Sequence, residues 1–466
     1  MLSISYCFKP LSSISKIGLR RIGYVPAQRQ QLSVRDNMAP VPQYTTTPSE
    51  VSLLGGNSKI PASLYQMRLI EEAMLDRIGD IDPRNCDSEQ LDPFFVCDLG
   101  ELKRLVRNWQ ERLPRIGIFY AVKCNNDLNL LKTIANLGLG FDCASKNEIQ
   151  SILDLGITSS RIIYSNPCKS IPYIRYSRDV KVDLTTVDNL DELQKIKEFH
   201  PDCGLLIRIL TDDSTSTCPL SVKFGASIDY AKSLVDSCKD LDLNLRGIAF
   251  HVGSGCKDFK TIRTAVADCK TIYEYAELKG IRMDSIDVGG GFEQETFKLS
   301  SEVLRSAIED YFPQSEYPNM NLIAELGRYL SSSCFTLAAH VTSKRSDMFK
   351  ERIYLSDGIY GNFNCILYDH QVVEPRVLTS KGEFKFEEDY FDINTISNSK
   401  EYSIWGPTCD GLDCIKEKCR LSSEVDTGDW LYFKNIGAYT SVASTSFNGF
   451  TSEMECIYVD SEQRHL

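Results

Sequence analysis

Lys123 closes a short apolar run at 116–122, and other reactive residues close similar runs further on. Asp142 follows the run 138–141, and Arg208 lies in 205–209. His251 follows 245–250 and leads into Gly253-Ser254-Gly255. The run 286–288 ends in Gly289, Gly290 and Gly291. The run 322–324 ends in Glu325, with Gly327 and Arg328 just beyond. A lysine at a strand end can be desolvated, which lowers its pKa and makes it a candidate imine-forming amine. Consecutive glycines let backbone N–H groups approach oxygen atoms closely, and Arg328 adds a charge-assisted contact. Each residue alone has a plainer explanation: a surface lysine with its stem laid down, a tight turn, a satisfied core histidine. Together, an amine, an oxyanion cradle and a carboxylate suit pyridoxal 5'-phosphate. That cofactor needs a lysine, a phosphate site and a group at its ring nitrogen, which Glu325 can supply.

The elements that must position these residues are readable from periodicity. Eight apolar runs, at 116–122, 138–141, 161–164, 180–185, 205–209, 245–250, 286–288 and 322–324, alternate with amphipathic stretches such as 128–137, 146–155, 190–199, 230–241, 259–278 and 302–312. Eight strands separated by helices make an α/β fold, a (β/α)8 barrel, whose chemistry lies at the C-terminal strand ends. A missed strand would make it a doubly wound sheet instead. After about 340 the helical period fades, and 335–341, 352–355, 402–405 and 430–433 read as strands. The expected organisation is a polar extension over 1–60, a barrel over 95–335, and a β-sandwich or β-barrel domain from 61–94 and 336–466.

Composition sets outer bounds. The net charge of −12 over 466 residues argues against nucleic acid as a partner. No run of about 18 apolar residues occurs, so no membrane span is expected. The 17 cysteines lack CxxC pairs and metal spacing, which suits a reducing compartment and argues for no metal. There is no P-loop and no dinucleotide fingerprint. Residues 1–35 hold six basic and no acidic residues, as a mitochondrial presequence does. A polar extension, or a true start at Met38, is the preferred alternative. The cytoplasm is the expected location.

Several strings carry a family resemblance: Tyr120-Ala-Val-Lys-Cys-Asn125, Phe141-Asp-Cys-Ala-Ser145, Asn166-Pro-Cys-Lys169, His251-Val-Gly-Ser-Gly255, Asp287-Val-Gly-Gly-Gly-Phe292, Tyr368-Asp-His370 and Trp405-Gly-Pro-Thr-Cys-Asp-Gly-Leu-Asp413. The chain resembles the eukaryotic, fungal-type ornithine decarboxylases, a group of pyridoxal-phosphate-dependent decarboxylases. The resemblance implies an alanine-racemase-type barrel plus a β domain, and a homodimer with active sites at the subunit interface. It makes Lys123 the cofactor lysine, supported by Asp142 and Arg208, with Glu148 nearby and His251 stacked on the ring. It assigns Ser254, Gly291, Arg328 and Tyr439 to the phosphate and Glu325 to the ring nitrogen, with Gly289, Gly290 and Gly327 also at the cofactor. Cys409 and Asp410 would reach in from the partner, with Cys409 as a proton donor. Asp369 and Asp410 would take the distal ammonium of L-ornithine, with Tyr368 and Phe447 in the pocket. Lys223 and Asp413 are candidates for an ion pair between subunits.

The activity so implied is decarboxylation of ornithine to putrescine and CO2, the entry step of polyamine biosynthesis, with antizyme as a further partner. Two alternatives stay open: a weak or inactive antizyme-binding paralogue, and a decarboxylase of lysine or another basic amino acid. A unit charge pair at 4 Å is worth about 4 kcal/mol at an effective dielectric of 20, before desolvation, so acids in the pocket favour a free distal amine. One residue departs from the family pattern: Ala324-Glu-Leu-Gly-Arg-Tyr329 has Leu326 where proline is usual. Leucine frees a φ angle between the two cofactor ligands. Leu326→Pro is expected to tighten cofactor binding, and an unchanged dissociation constant would refute this.

Overall fold

The computed structural model describes residues 62–82, 84–347, 350–386, 400–450 and 454–463. The extension at 1–60 therefore lies outside the described residues. Among those described, no helix is long and apolar enough to cross a membrane.

Eight parallel strands close into a barrel: β2 (Ile116–Ala121), β3 (Gly140–Cys143), β4 (Ile162–Tyr164), β5 (Leu184–Val187), β6 (Gly204–Arg208), β7 (Leu245–Ala249), β8 (Ser285–Asp287) and β9 (Asn321–Leu326). They fall on the eight apolar runs with one displacement. The run at 180–185 begins too early, because Val180 ends helix Ile171–Asp179 and Lys181 turns the chain at φ 61°. That helix escapes notice in the sequence because Pro172 interrupts its pattern. In the first turn proline costs little, since the N–H it lacks has no helical acceptor. Ile163, Leu206, Ala249 and Ile323 form a small apolar cluster of their own, separate from the shell where the helices pack.

Short polar side chains cap the barrel helices, close to the strand end at Asp127, Ser145 and Asn189 and only after a long loop at Ser227. Asp127 accepts from Asn129 and Leu130 N–H, Ser145 from Glu148, Asn189 from Glu192 and Ser227 from Tyr230. Each cap fixes where a βα loop stops and so how far it reaches over the barrel mouth.

The expected barrel boundary at 95 needs correction. Strand β1 (Phe94–Asp98) belongs to the second sheet, where it pairs antiparallel with β10 (Phe335–Ser346) and parallel with Glu455–Val459. All five of its residues are buried, as suits a strand with neighbours on both sides. Asp98 ends it, accepts from Gly100 N–H to start helix Leu99–Arg112, and holds Ser461 by N–H and Oγ. The helix Ala62–Ile78 covers this sheet. Its Ile70, Met74 and Ile78 recur every four residues and meet Phe94, Val96, Ala338, Trp430 and Tyr432.

Strand β10 serves two half-sheets. Its first half pairs with β1 and Trp430–Phe433, and beyond a bulge at Val341/Ser343 it pairs with β11 (Glu351–Leu355). Strands Glu401–Trp405 and Cys414–Arg420 continue from β11. Cys414–Arg420 reads poorly from sequence because it is a charged edge strand. Two contacts seat this sheet on the barrel mouth: Asn125 Nδ2 donates to Gly437 O at 2.8 Å, and Tyr439 N–H to Cys124 O at 2.9 Å.

Candidate active site

Strand register brings the reactive residues together. Ala121 in β2 pairs with Asp142 in β3, and Phe119 pairs with Glu325 in β9. Lys123 sits in the turn just past β2, and its ammonium is bonded to the buried Asp142 carboxylate. Burial works to lower the pKa of Lys123, but Asp142, Glu325 and Tyr439 outweigh it and hold the ammonium above the usual lysine range. Burial and then Asp142 push Glu325 upward. Asp287, at the end of β8, is driven well above the carboxylate range by burial and by Glu325. Three buried carboxyls thus act on one another at this mouth, and two of them act on the Lys123 amine.

His251 follows β7 and lines the same cavity. Its Nδ1 accepts from Gly253 N–H at 3.0 Å, so the ring's proton sits on Nε2. Burial, then Arg208 and Lys123, hold His251 well below the ordinary imidazole value of 6.5. A lowered pKa means the folded state prefers the neutral ring. Its contribution to stability is present above the ordinary value and is lost as pH falls below it. In His251→Phe the melting temperature should fall less steeply between about pH 7 and pH 5 than in the wild type. Parallel profiles would refute this.

The glycine turn cannot carry side chains. A Cβ on Gly289 (φ +64°) would lie 2.1 Å from Phe250 O, on Gly290 2.6 Å from Glu325 O, and on Gly291 (φ +97°) 2.3 Å from Gly253 O. Gly327 is equally close-packed, with its Cβ position 2.9 Å from Cys124 Cβ. Arg328 donates to Ser254 Oγ at 3.2 Å and lies over the Tyr439 ring at 5.4 Å. Apart from Gly289, these groups border a cavity of about 460 Å³ that also contacts Arg208, Tyr368 and Asp369. Asp142 Oδ1 and Arg328 Nε are buried without a hydrogen-bond partner among the described residues. A side-chain-free turn beside an arginine, and an amine and a carboxylate across the cavity, fit the phosphate, aldehyde and ring nitrogen of pyridoxal phosphate. Leu326 is buried between its two ligands, Glu325 and Arg328.

Other expected site residues stand apart. Cys409, Asp410 and Phe447 do not line this cavity within the chain. Asp410 accepts from Tyr360 OH, which with Leu412 N–H holds its carboxyl below the usual range. Phe447 leans on the Tyr360 ring at 4.4 Å, and Cys409 is exposed. The cause is Asp413, 1% exposed, whose oxygens accept from Ile359 N–H, Thr408 N–H and Thr408 Oγ and fix the loop. Its carboxylate is thus committed within its own chain, to Thr408 in the same loop and to Ile359 in a distant one, while Lys223 lies over the Phe224 ring at 4.8 Å. Glu148 Oε2 accepts from Ala144 N–H at 2.6 Å, outside the cavity wall. Sequence reasoning passed over Glu293, 3.6 Å from Arg328, and Cys218, whose backbone bonds to Ser254 in both directions. Asp287, also passed over, lies inside the apolar run 286–288, the signal that it is buried.

A closed parallel barrel with a lysine, a ring-nitrogen carboxylate and a phosphate cradle at one mouth defines a pyridoxal-phosphate barrel enzyme. Residues 99–332 match the family described as pyridoxal-dependent decarboxylase, pyridoxal binding domain. The chain is 48% identical to an ornithine decarboxylase of Saccharomyces cerevisiae over 84% of this chain and 86% of that one. It is 41% identical to antizyme inhibitor 2 of Xenopus laevis over 82% of this chain and 85% of the other. Among solved structures it resembles the arginine decarboxylase of Paramecium bursaria Chlorella virus, with TM-score 0.75 and 31% identity over 84% of this chain and all of that one. The chain belongs to the ornithine decarboxylase family of pyridoxal-dependent decarboxylases.

Proposed function

We propose that this chain decarboxylates L-ornithine to putrescine and CO2 with pyridoxal 5'-phosphate, as a homodimer whose two cavities each borrow residues from the other copy. The observation that carries the chemistry is the Lys123–Asp142 pair, set beside Glu325 and facing the glycine cradle. The choice of ornithine rests on 48% identity to a relative of that name, against 31% to the arginine decarboxylase.

Pyridoxal phosphate, when bound, supplies a sink for the electron pair that CO2 leaves behind. Gly289, Gly290, Gly291, Ser254, Arg328 and Tyr439 would hold its phosphate, and Glu325 would keep its ring nitrogen protonated. His251, neutral and fixed by Gly253, would orient the ring. Asp142 holds the Lys123 nitrogen in position. Asp369 takes the distal ammonium. After the carboxylate leaves as CO2, Cα needs one proton. Cys409 of a second copy donates it from sulfur, and solvent returns it.

The exposed Cys409 and Phe447 and the half-buried Asp410 are useless to their own cavity, and this supports the dimer. Inactive Lys123→Ala and Cys409→Ala chains, mixed, should recover about a quarter of wild-type activity, because half the random dimers are mixed and each keeps one intact cavity. No recovery contradicts shared sites. Antizyme is a proposed partner on the strength of the likeness to antizyme inhibitor 2. The cytosol is the proposed location, supported by 16 free thiols among the described residues. CO2 release from ornithine should exceed that from lysine by at least ~10-fold, the discrimination one methylene affords. Equal or faster release from lysine or arginine would overturn the substrate assignment.

A further inference from the structure

Asp369 and Arg328 come from different parts of the fold and meet at the cavity. Arg328 follows β9 at the phosphate cradle, and Asp369 follows the short helix Cys365–Tyr368 of the sheet domain. Arg328 donates from one terminal nitrogen to both Asp369 Oδ1, at 2.5 Å, and Ser254 Oγ, at 3.2 Å. The Asp369 side chain is 7% exposed, and its Oδ2 is buried without a hydrogen-bond partner among the described residues. The Cys218 thiol also lies beside it, with Sγ 4.0 Å from Oδ1, and His370 acts on it as well. Arg328 is therefore the main counter-charge of a buried carboxylate and, at the same time, the cationic arm of the phosphate site. Glu293, 3.6 Å from Arg328, adds a second acid to the same guanidinium.

We infer that Arg328 couples the two binding events: a phosphate at the glycine turn draws Arg328 from Asp369 and thereby readies Asp369 for the distal ammonium of a diamine. This rests on the ornithine reading proposed above. One guanidinium cannot fully compensate a phosphate dianion and two carboxylates. With phosphate in place, the site carries excess negative charge around a buried Asp369 that has lost part of its partner. A primary ammonium restores the balance. With no phosphate, Arg328 already satisfies Asp369, and an incoming ammonium must compete for it. The coupling is reciprocal, so a diamine that neutralises Asp369 also frees Arg328 for phosphate. Asp369 thus opposes phosphate binding until the diamine arrives, and selection of a basic side chain becomes conditional on the cofactor.

The experiment uses the full chain stripped of cofactor, with inorganic phosphate and putrescine as probes, followed by titration calorimetry. In the wild type, saturating phosphate should tighten putrescine binding by at least ~5-fold, the lower end of usual coupling factors. In Asp369→Asn, phosphate should bind several-fold tighter than in the wild type, and the coupling should vanish. Putrescine affinity indifferent to phosphate in the wild type overturns the inference without any variant. So does phosphate that binds Asp369→Asn no more tightly. If putrescine binds the wild type under no condition, the ornithine reading fails, and the phosphate affinity of Asp369→Asn still decides whether Asp369 restrains Arg328.

Discussion

Lys123→Ala is expected to abolish the absorbance band of lysine-bound cofactor and to cut turnover by ~10²–10⁴-fold, the span of a positioned acid–base group. The amine has two roles that one substitution removes together. It holds the cofactor aldehyde until substrate displaces it, and it neutralises Asp142, which is fully buried beneath it. Without the ammonium, the buried Asp142 and Glu325 lose the cation they share, although Arg208 still acts on Glu325. The carboxylate serving the ring nitrogen is then driven further toward its neutral form. Loss of turnover should therefore exceed what loss of the tether alone would cause. Small primary amines added to Lys123→Ala should restore the exchange step but not the charge balance, so rescue should be partial. Turnover within a few-fold of the wild type would remove Lys123 from the chemistry.

Glu325→Gln is expected to lower kcat by ~10²–10³-fold, the usual cost of deleting one preorganised charge contact at a reacting group. It should leave the cofactor bound. The glycine turn, Ser254 and Arg328 do not depend on the Glu325 side chain: the nearest glycine approach to residue 325 is to its backbone oxygen. A glutamine cannot keep a pyridine nitrogen protonated. The ring then takes up the electron pair poorly, while the phosphate and lysine contacts persist. The signature is a retained cofactor band with a collapsed kcat and little change in KM. Loss of the cofactor band in this variant would assign Glu325 to binding rather than to the ring's electronics.

Much of this site was legible in the sequence because a parallel barrel obeys a simple rule. Apolar runs become strands, and polar residues that end them meet at one mouth. Lys123, Asp142, His251, Gly289, Glu325 and Arg328 all follow it. The rule fails where position depends on contacts between distant segments. Nothing local indicates that Asp369 lies on Arg328, or that Asp413 turns inward and aims Cys409 and Asp410 away from their own cavity. Those placements come from the sheet domain folding back over the barrel through Asn125–Gly437 and Cys124–Tyr439. The start of the fourth barrel strand was misplaced for a local reason, a left-handed Lys181 hidden inside an apolar run. Residues 95–98 were given to the wrong unit because a mostly apolar strand fits a barrel and a sheet centre equally well.

Hydride reduction of the cofactor-loaded protein, followed by peptide mass mapping, tests the central claim most directly. The tag should fall on the peptide holding Lys123 and be absent when ornithine is added in excess before reduction. A tag on another lysine, or none at all, would contradict the account.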